Sequence, residues 1–338
     1  MTATTESIRN APFGSVFAPT MAISRWSGDG FETHRMEPLR PLELHPGAHV
    51  LHYASSIFEG LKAHRGPEGQ TRLFRLDRHV DRMRRSAELL CLPPPPADLL
   101  TAMIAETAAA NRAEVPEPPG SLYLRPTMIG TQADVGAAAK PPDEGLLYVL
   151  ACPVGDYFTG GIRPLRVLVE DEAMRSTPGF GAAKTGANYA AALRTVVEAR
   201  TAHGADQVLF APAGDVQETG ASNFLLIDDE RVVTKPLDGT FLPGVTREAV
   251  LVLADHLGYQ VEERDLSIAD VLEWATHGEA ALSGTAAVLA GVGTLVYRGE
   301  EHRVGSGEVG PNTLRLRKAL TDLQTGLAPD PFGWITEV

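Results

Sequence analysis

Cysteine is scarce in this chain: only Cys91 and Cys152 occur among 338 residues. Two such residues cannot build a disulfide framework, and neither belongs to a cluster with metal-ligand spacing. A reducing cytosol is therefore the expected compartment, and no metal is expected. Long apolar runs are also missing. Nothing approaches the ~18 apolar residues of a membrane span, so no membrane partner is expected. The opening MTATTESIRNAPFG lacks a hydrophobic signal core, which predicts a protein that is not exported. Positive charge is short as well. The formal net charge is −13, which argues against nucleic acid or an anionic membrane as a partner. The histidines are scattered, and no G-x-x-x-x-G-K-[ST] loop or well-placed G-x-G-x-x-G turn occurs. A metal hydrolase or a nucleotide-binding domain thus finds no support. The lysines are few, namely Lys62, Lys140, Lys184, Lys235 and Lys318. A lysine acting as a nucleophile therefore has few rivals.

What is present suffices for a large core. The chain is 43% hydrophobic, enough for one large or two medium domains. Residues 21–38 read as two short strands around the Gly28 to Gly30 turn. KAHR and TRLFRL, joined by the turn GPEG at 66–69, read as a hairpin. Asp77 is placed to N-cap a helix over 78–91 that stops at Pro93 to Pro96, and a second helix is expected over about 97–112. LYLRPTMIG and GLLYVLACPV follow as strands. This order predicts a small α+β domain over 1–154. The Gly-rich stretch 155–164 reads as an interdomain connection, and 165–338 as a larger domain. In the latter, Ser267 begins an S-x-x-D capping arrangement for IADVLEWA, and GEAALSGTAAVLAGVGTLVY reads as strand, tight turn, strand. The helix TLRLRKALTDLQTG closes the chain.

The stretch from Gly179 to Asn223 carries the chemistry. Lys184 lies among Gly179, Gly181, Ala182, Ala183, Gly186 and Ala187, which leave room for a flat ring against backbone. The run NYAAALRTVVEARTAH (188–203) has helical periodicity and ends at Gly204, a good C′ residue. QVLFA (207–211) and ASNFLLID (221–228) read as strands, with PAGD as a turn between them. Glu218 is expected where the second strand begins. A lysine amine forms Schiff bases with carbonyl cofactors such as pyridoxal phosphate. A carboxylate facing the pyridine nitrogen keeps it protonated and makes the ring an electron sink, and Tyr189 is placed to hydrogen-bond the phenolic oxygen. From pattern alone, a lysine before a helix more often reads as a solvated surface residue, the tyrosine as core, and the glutamate as a water-facing side chain.

Nearly the whole chain resembles the branched-chain aminotransferases, within the fold-type IV pyridoxal phosphate enzymes. The resemblance is carried by LHYASSIFEGLKA (51–63), DRMRRSAELLCLP (81–93), SLYLRPTMIG (121–130), ACPVGDYF (151–158), GAAKTGANYAA (181–191), QETGASNF (217–224), LPGVTREAV (242–250) and LSGTAA (282–287). They occur in the family's order at nearly its spacing. The resemblance implies an α+β enzyme of two α/β domains with pyridoxal 5'-phosphate between them. Lys184 would hold the cofactor covalently and move the substrate's Cα proton. Glu218 and Tyr189 would tune the ring. Arg82, Val245, Thr246 and Thr285 would hold the phosphate, Val245 and Thr246 at a helix N-terminus suited to anions. Without the resemblance, Arg82 is one of several arginines on a solvated helix face, and LPG before a helix is an ordinary junction. Tyr123, Arg125 and the Ala286 N–H would meet the substrate carboxylate. Phe13, Tyr53, Phe58 and Tyr157 would line an apolar side-chain pocket. The implied partners are small amino acids and 2-oxo acids, and the implied assembly is a homodimer or a group of dimers.

Several positions depart from the family pattern. Ala221 and Ser222 replace a threonine or glycine and a methionine. Ala18, Pro19, Thr20 and Met21 stand where the family has T-D-H-M. Ala137 is small in the loop 133–142, which by resemblance reaches the partner subunit's site. Ala287 and Ala290 stand where some animal members carry a redox CxxC. These departures predict a roomier, slightly more polar pocket. The expected activity is transfer of the amino group of branched-chain or similar apolar L-amino acids to 2-oxoglutarate. A D-amino-acid aminotransferase, an aminodeoxychorismate lyase-like enzyme and a biosynthetic aminotransferase with a larger substrate stay open. So does a silent cofactor-binding scaffold, against which Lys184, Glu218, Tyr189 and Arg82 are all intact.

Overall fold

The computed structural model describes residues 11–156 and 162–338. Two compact units emerge. The first holds the described residues up to 156 with Ala183–Gly186 and Leu323–Val338, and the second holds the rest. The first unit is built on β1 (Thr20–Ser27), β2 (Gly30–Phe31), β3 (Arg35–Pro38), β4 (Ser56–Phe58), β5 (Leu61–Arg65), β6 (Thr71–Phe74), β7 (Ser121–Gly130) and β8 (Gly145–Val154). A C-terminal strand, Ile335–Glu337, pairs with β6. Every pairing among these strands is antiparallel. Helices α1 (His49–Tyr53), α2 (Leu76–Leu89) and α3 (Ala97–Ala110) complete the unit.

Strand alternation divides the first sheet's two faces. Leu61, Ala63, Leu122, Leu124 and Ala151 share one core with Val80, Met83 and Ala87 of α2 and Leu100, Met103 and Ile104 of α3. Each leucine, valine, isoleucine and methionine among them contributes about 1.5–3 kcal/mol by leaving water. With a period of two, the intervening residues point the other way. Lys62 pairs with Tyr123, and Tyr123 with Cys152. That second face carries the polar chemistry of the unit.

Several local expectations are corrected. Asp77 does not cap α2. Arg75 holds the N-cap position in a left-handed conformation, with no side-chain cap bond, and Asp77 sits in the first turn, where its charge still suits the helix dipole. α2 ends at Leu89, before Cys91, whose φ is +54°. The segment 21–38 forms three strands rather than two, because the chain leaves β1 after Phe31 and rejoins it at Arg35. The C-terminal residues 323–338 and the turn 183–186 belong to the first unit, so a division at 165 does not describe them. Of the connection at 155–164, residues 157–161 lie outside the described residues.

The second unit has a mixed sheet of β9 (Leu165–Glu170), β10 (Gln207–Phe210), β11 (Asn223–Ile227), β12 (Arg231–Thr234), β13 (Gln260–Glu263), β14 (Glu279–Gly284), β15 (Val288–Tyr297) and β16 (Glu300–Arg303). The order is β10-β9-β15-β14-β11-β12-β13, with β16 on β15. Its helices are α4 (Gly186–His203), α5 (Val245–His256), α6 (Ile268–Ala275) and α7 (Pro311–Thr325). α4 stops before Gly204, which adopts φ +61°. α6 begins with the full capping box, Ser267 and Asp270 each accepting from the other's backbone. Glu218 does not start β11. It lies five residues earlier and bridges back to Asn223, while its carbonyl accepts from Phe210 N–H.

Candidate active site

Lys184 sits in the turn just before α4, and the first unit fixes that turn from two sides. Its N–H donates to Ser86 Oγ of α2 at 3.0 Å, and its carbonyl accepts from Phe58 N–H. Next to it, Thr185 Oγ1 donates to the Ser56 carbonyl at 2.8 Å. The backbone of the lysine is therefore pinned while the side chain stays half-buried. Its Nζ lies 5.1 Å from the centre of the Phe58 ring.

From Phe58 a continuous run of predicted residues follows. The Arg125 guanidinium stands 4.6 Å from the Phe58 centroid and 5.2 Å from that of Tyr123. Arg125 Nη2 donates to Tyr123 Oη at 2.9 Å, so the tyrosine keeps its own hydroxyl hydrogen for another acceptor. Phe13 meets Tyr123 edge-on, 5.0 Å between centroids. Lys184, Phe58, Arg125, Tyr123 and Phe13 thus form one connected group. Tyr53 stands apart, with its hydroxyl on the Val135 carbonyl and its ring beside His49. Tyr157 lies outside the described residues.

Arg82 is not on a solvated face. It is buried on α2 and grips Glu59 with two bonds, Nε to Oε1 at 2.7 Å and Nη2 to Oε2 at 2.8 Å. His79, one turn earlier, contacts Glu59 Oε2 through Nδ1 at 2.8 Å. Burial opposes a charge on Glu59, yet Arg82 and His79 outweigh it and hold the carboxyl well below the ordinary range. Burial pushes the His79 imidazole down, despite Glu59. His79 is therefore neutral near pH 7 and donates from Nδ1.

In the second unit, donors converge on Glu218, which is 2% exposed. Asn223 Nδ2 lies 3.2 Å from Oε2, and Leu242 N–H donates to Oε1 at 3.0 Å. Arg175 Nη1 lies 2.7 Å from Oε1 as an ion pair, without hydrogen-bond alignment. The Arg175 guanidinium also stands 5.6 Å from the centre of the Tyr189 ring. The segment after Leu242 leads directly into α5. No side chain caps its N-terminus, and Val245 and Thr246 occupy its first turn, both buried. Gly244 is required there, since a Cβ would fall 1.9 Å from Asn223 Oδ1. Thr285 and Ala286 lie half-buried in the turn between β14 and β15. The Ala221–Ser222 turn is adjacent: a Cβ on Gly284 would lie 3.1 Å from Ser222 Oγ and 3.6 Å from the Ala221 carbonyl.

Comparison with known proteins decides the family. The amino-transferase class IV family matches residues 56–294. A probable branched-chain-amino-acid aminotransferase of Streptomyces coelicolor is 39% identical, over 97% of this chain and 92% of its own length. The chain is a class IV aminotransferase.

Two solved structures of a T.th. branched-chain amino acid aminotransferase are similar to this aminotransferase at 27% identity. One is complexed with N-(5'-phosphopyridoxyl)-L-glutamate (TM-score 0.76) and the other with 4-methylvaleric acid (TM-score 0.74). Each covers 95% of this chain and 99% of the other. The residues of this aminotransferase fit a pyridoxal phosphate group. Taken unit by unit, the first holds a lysine on a pinned backbone and a buried arginine, and the second a buried carboxylate ringed by donors and a helix N-terminus without a side-chain cap, groups of the kinds that an aldehyde, a ring nitrogen and a phosphate call for. Sequence reasoning passed over Glu59, His79, Ser86, Arg175 and Asn223. The spacing of His79, Arg82 and Ser86, at i, i+3 and i+7, places them on one stripe of α2 and was readable. Arg175 lies in a loop and gives no such signal.

Proposed function

We propose that this aminotransferase moves the amino group of branched-chain or similar apolar L-amino acids to 2-oxoglutarate, with pyridoxal 5'-phosphate as cofactor. What carries the reading is the near full-length likeness to relatives of that name. When bound, pyridoxal phosphate supplies an aldehyde for an amine and a ring that accepts electrons from the substrate's Cα. The rest falls to the chain's own residues. Lys184 would hold the cofactor's aldehyde carbon, and its amine would act as general base toward the substrate's Cα proton, a contribution on the order of 10²–10⁴-fold. Glu218, held by Arg175, Asn223 and Leu242 N–H, keeps a proton on the ring nitrogen. Tyr189 hydrogen-bonds the phenolic oxygen. Arg82, Thr285 and the α5 amides at Val245 and Thr246 bind the phosphate.

Tyr123, backed by Arg125, and the Ala286 N–H orient the substrate carboxylate. Phe58 and Phe13 exclude water around the apolar side chain, each Å² of apolar burial contributing about 25 cal/mol. The T.th. relative holds both an apolar acid and a glutamate adduct, which supports one site serving both half-reactions. Ala221, at the exposed turn beside Gly284, gives the pocket extra room. We place the protein in the cytosol, which its two unpaired cysteines favour, and as a homodimer by family likeness. No helix among the described residues is long and apolar enough to cross a membrane.

The test is a panel of L- and D-amino acids with 2-oxoglutarate. L-Leucine, L-isoleucine and L-valine should be the best donors, and Lys184→Ala should abolish turnover and the cofactor's visible absorption. Preference for D-alanine, or turnover retained in Lys184→Ala, refutes the reading. Sedimentation of a fully active monomer refutes the dimer.

A further inference from the structure

Val288 holds a backbone conformation that its own side chain opposes. It opens β15 with φ +62° and is buried. Among the described residues other than glycine with positive φ, it alone is β-branched. A branched Cβ crowds the neighbouring carbonyl in the left-handed region, so such a residue stays there only when its surroundings over-determine it. One guanidinium supplies such a constraint. Arg317, on α7, donates from Nη1 to the Ala287 carbonyl and to the Leu289 carbonyl, the latter at 2.8 Å. These are the carbonyls of the residues before and after Val288. Nη1 carries two hydrogens, so one nitrogen serves both acceptors, and its charge strengthens both bonds. Thr285 to Ala287 form the turn that leads into Val288.

We propose that Arg317 is a positioning residue for the turn between β14 and β15. By binding the carbonyls on both sides of Val288 it holds that residue in the left-handed conformation, and the backbone so fixed sets where Thr285 stands. A return of Val288 to negative φ rotates one carbonyl relative to the other, so the clamp and the strained φ stand or fall together. The strain is met within the fold before any ligand arrives, so ordering the turn is not charged against binding. The link to the cofactor rests on the assignment of Thr285 to the phosphate.

The experiment separates the clamp from that assignment. Amide hydrogen exchange over residues 284–289 is measured on the holoenzyme, and dissociation constants of pyridoxal 5'-phosphate and of unphosphorylated pyridoxal are measured by fluorescence quenching on the apo-enzyme. The proteins compared are the wild type, Arg317→Met, Val288→Gly and the double variant. Arg317→Met should speed exchange in the turn by about 10–100-fold, the loss of bonds from a charged donor. It should weaken the phosphorylated ligand by roughly tenfold and pyridoxal by less than about twofold, a margin within ordinary non-additivity. Glycine adopts positive φ without steric cost, so Val288→Gly added to Arg317→Met should recover part of both losses. Wild-type exchange in Arg317→Met, or losses that Val288→Gly leaves unchanged or deepens, overturns the clamp. Equal weakening of both ligands marks a merely structural arginine and overturns the proposal too. Exchange that rises and is then recovered, with the preference for the phosphorylated ligand unchanged throughout, upholds the clamp and overturns the assignment of Thr285 to the phosphate. Should Val288→Gly fail to fold, Val288→Ala removes the branching and keeps the Cβ. Its recovery should be smaller in both readouts, and no recovery overturns the proposal.

Discussion

Replacing Gly60 by alanine puts a single methyl group against Tyr123, the residue proposed to orient the substrate carboxylate. The Cβ would fall 1.9 Å from Tyr123 Oη, 2.7 Å from Cζ and 3.3 Å from Cε2. Comfortable contacts begin near ~3.5 Å, so the hydroxyl end of the ring must retreat by roughly 1.5 Å. It has little space in which to do so. Tyr123 is 7% exposed, meets Phe13 edge-on and lies between Lys62 and Cys152 on the neighbouring strands. The retreat stretches the 2.9 Å bond from Arg125 well past hydrogen-bonding distance. A bond from a charged donor is worth about 1.5–3 kcal/mol. A catalytic contact misplaced by about 1 Å can cost on the order of 10²-fold in rate. The expected result is a fall of roughly 10–100-fold in kcat/KM for L-leucine, with cofactor absorption retained. Initial rates over a range of leucine and 2-oxoglutarate concentrations, alongside circular dichroism of the folded protein, give the reading. Tyr123→Phe in the same background removes the worst overlap and should restore part of the folding stability but not the activity. Wild-type kcat/KM in the Gly60→Ala protein would mean that Tyr123 does not orient the substrate.

Two further outcomes follow from buried charge. His64 is 5% exposed, and burial, with Lys62 and Arg72 nearby, pushes its imidazole from 6.5 to about 3. The unfolded chain takes up a proton below pH 6.5 that the folded protein refuses until about pH 3, so His64 destabilises the fold as pH falls through that window, by about 2 kcal/mol at pH 5. His64→Asn should therefore lose less thermal stability than wild type between pH 7.5 and pH 5, and parallel melting profiles would contradict this. Arg175 and Glu218 are buried side by side, 2.7 Å apart. Arg175→Met should cost about 3–5 kcal/mol by stranding the carboxylate, and adding Glu218→Gln should recover part of that loss in urea unfolding. A Glu218→Gln change that deepens the loss would show that the pair is not the source.

Much of the architecture was legible from local rules. The hairpin of β5 and β6, the paired runs of β7 and β8, the capping box at Ser267 and the stop of α4 at Gly204 each rest on a pattern that neighbouring residues complete by themselves. The Lys184 turn was legible too, because glycines and alanines flank it and a helix follows. Asp77 misled because its side chain suits a cap, whereas Arg75 takes the position by its backbone alone. The C-terminal strand was hidden, since its partner β6 lies more than two hundred residues earlier and a three-residue strand has no periodicity to betray it.

The sequence by itself determined which chemistry is available: one lysine in a small-residue turn, a carboxylate near a strand and a helix start that follows Leu-Pro-Gly. Tertiary structure decided which side chains stand guard over that chemistry. Ser86 reaches the Lys184 backbone, Glu59 and His79 close around Arg82, and Arg175 comes to Glu218 from a loop more than forty residues away. These partnerships depend on burial and on long-range register. A charged side chain looks alike in a sequence whether it ends in water or in a desolvated pair, and only the packing around it tells the two apart.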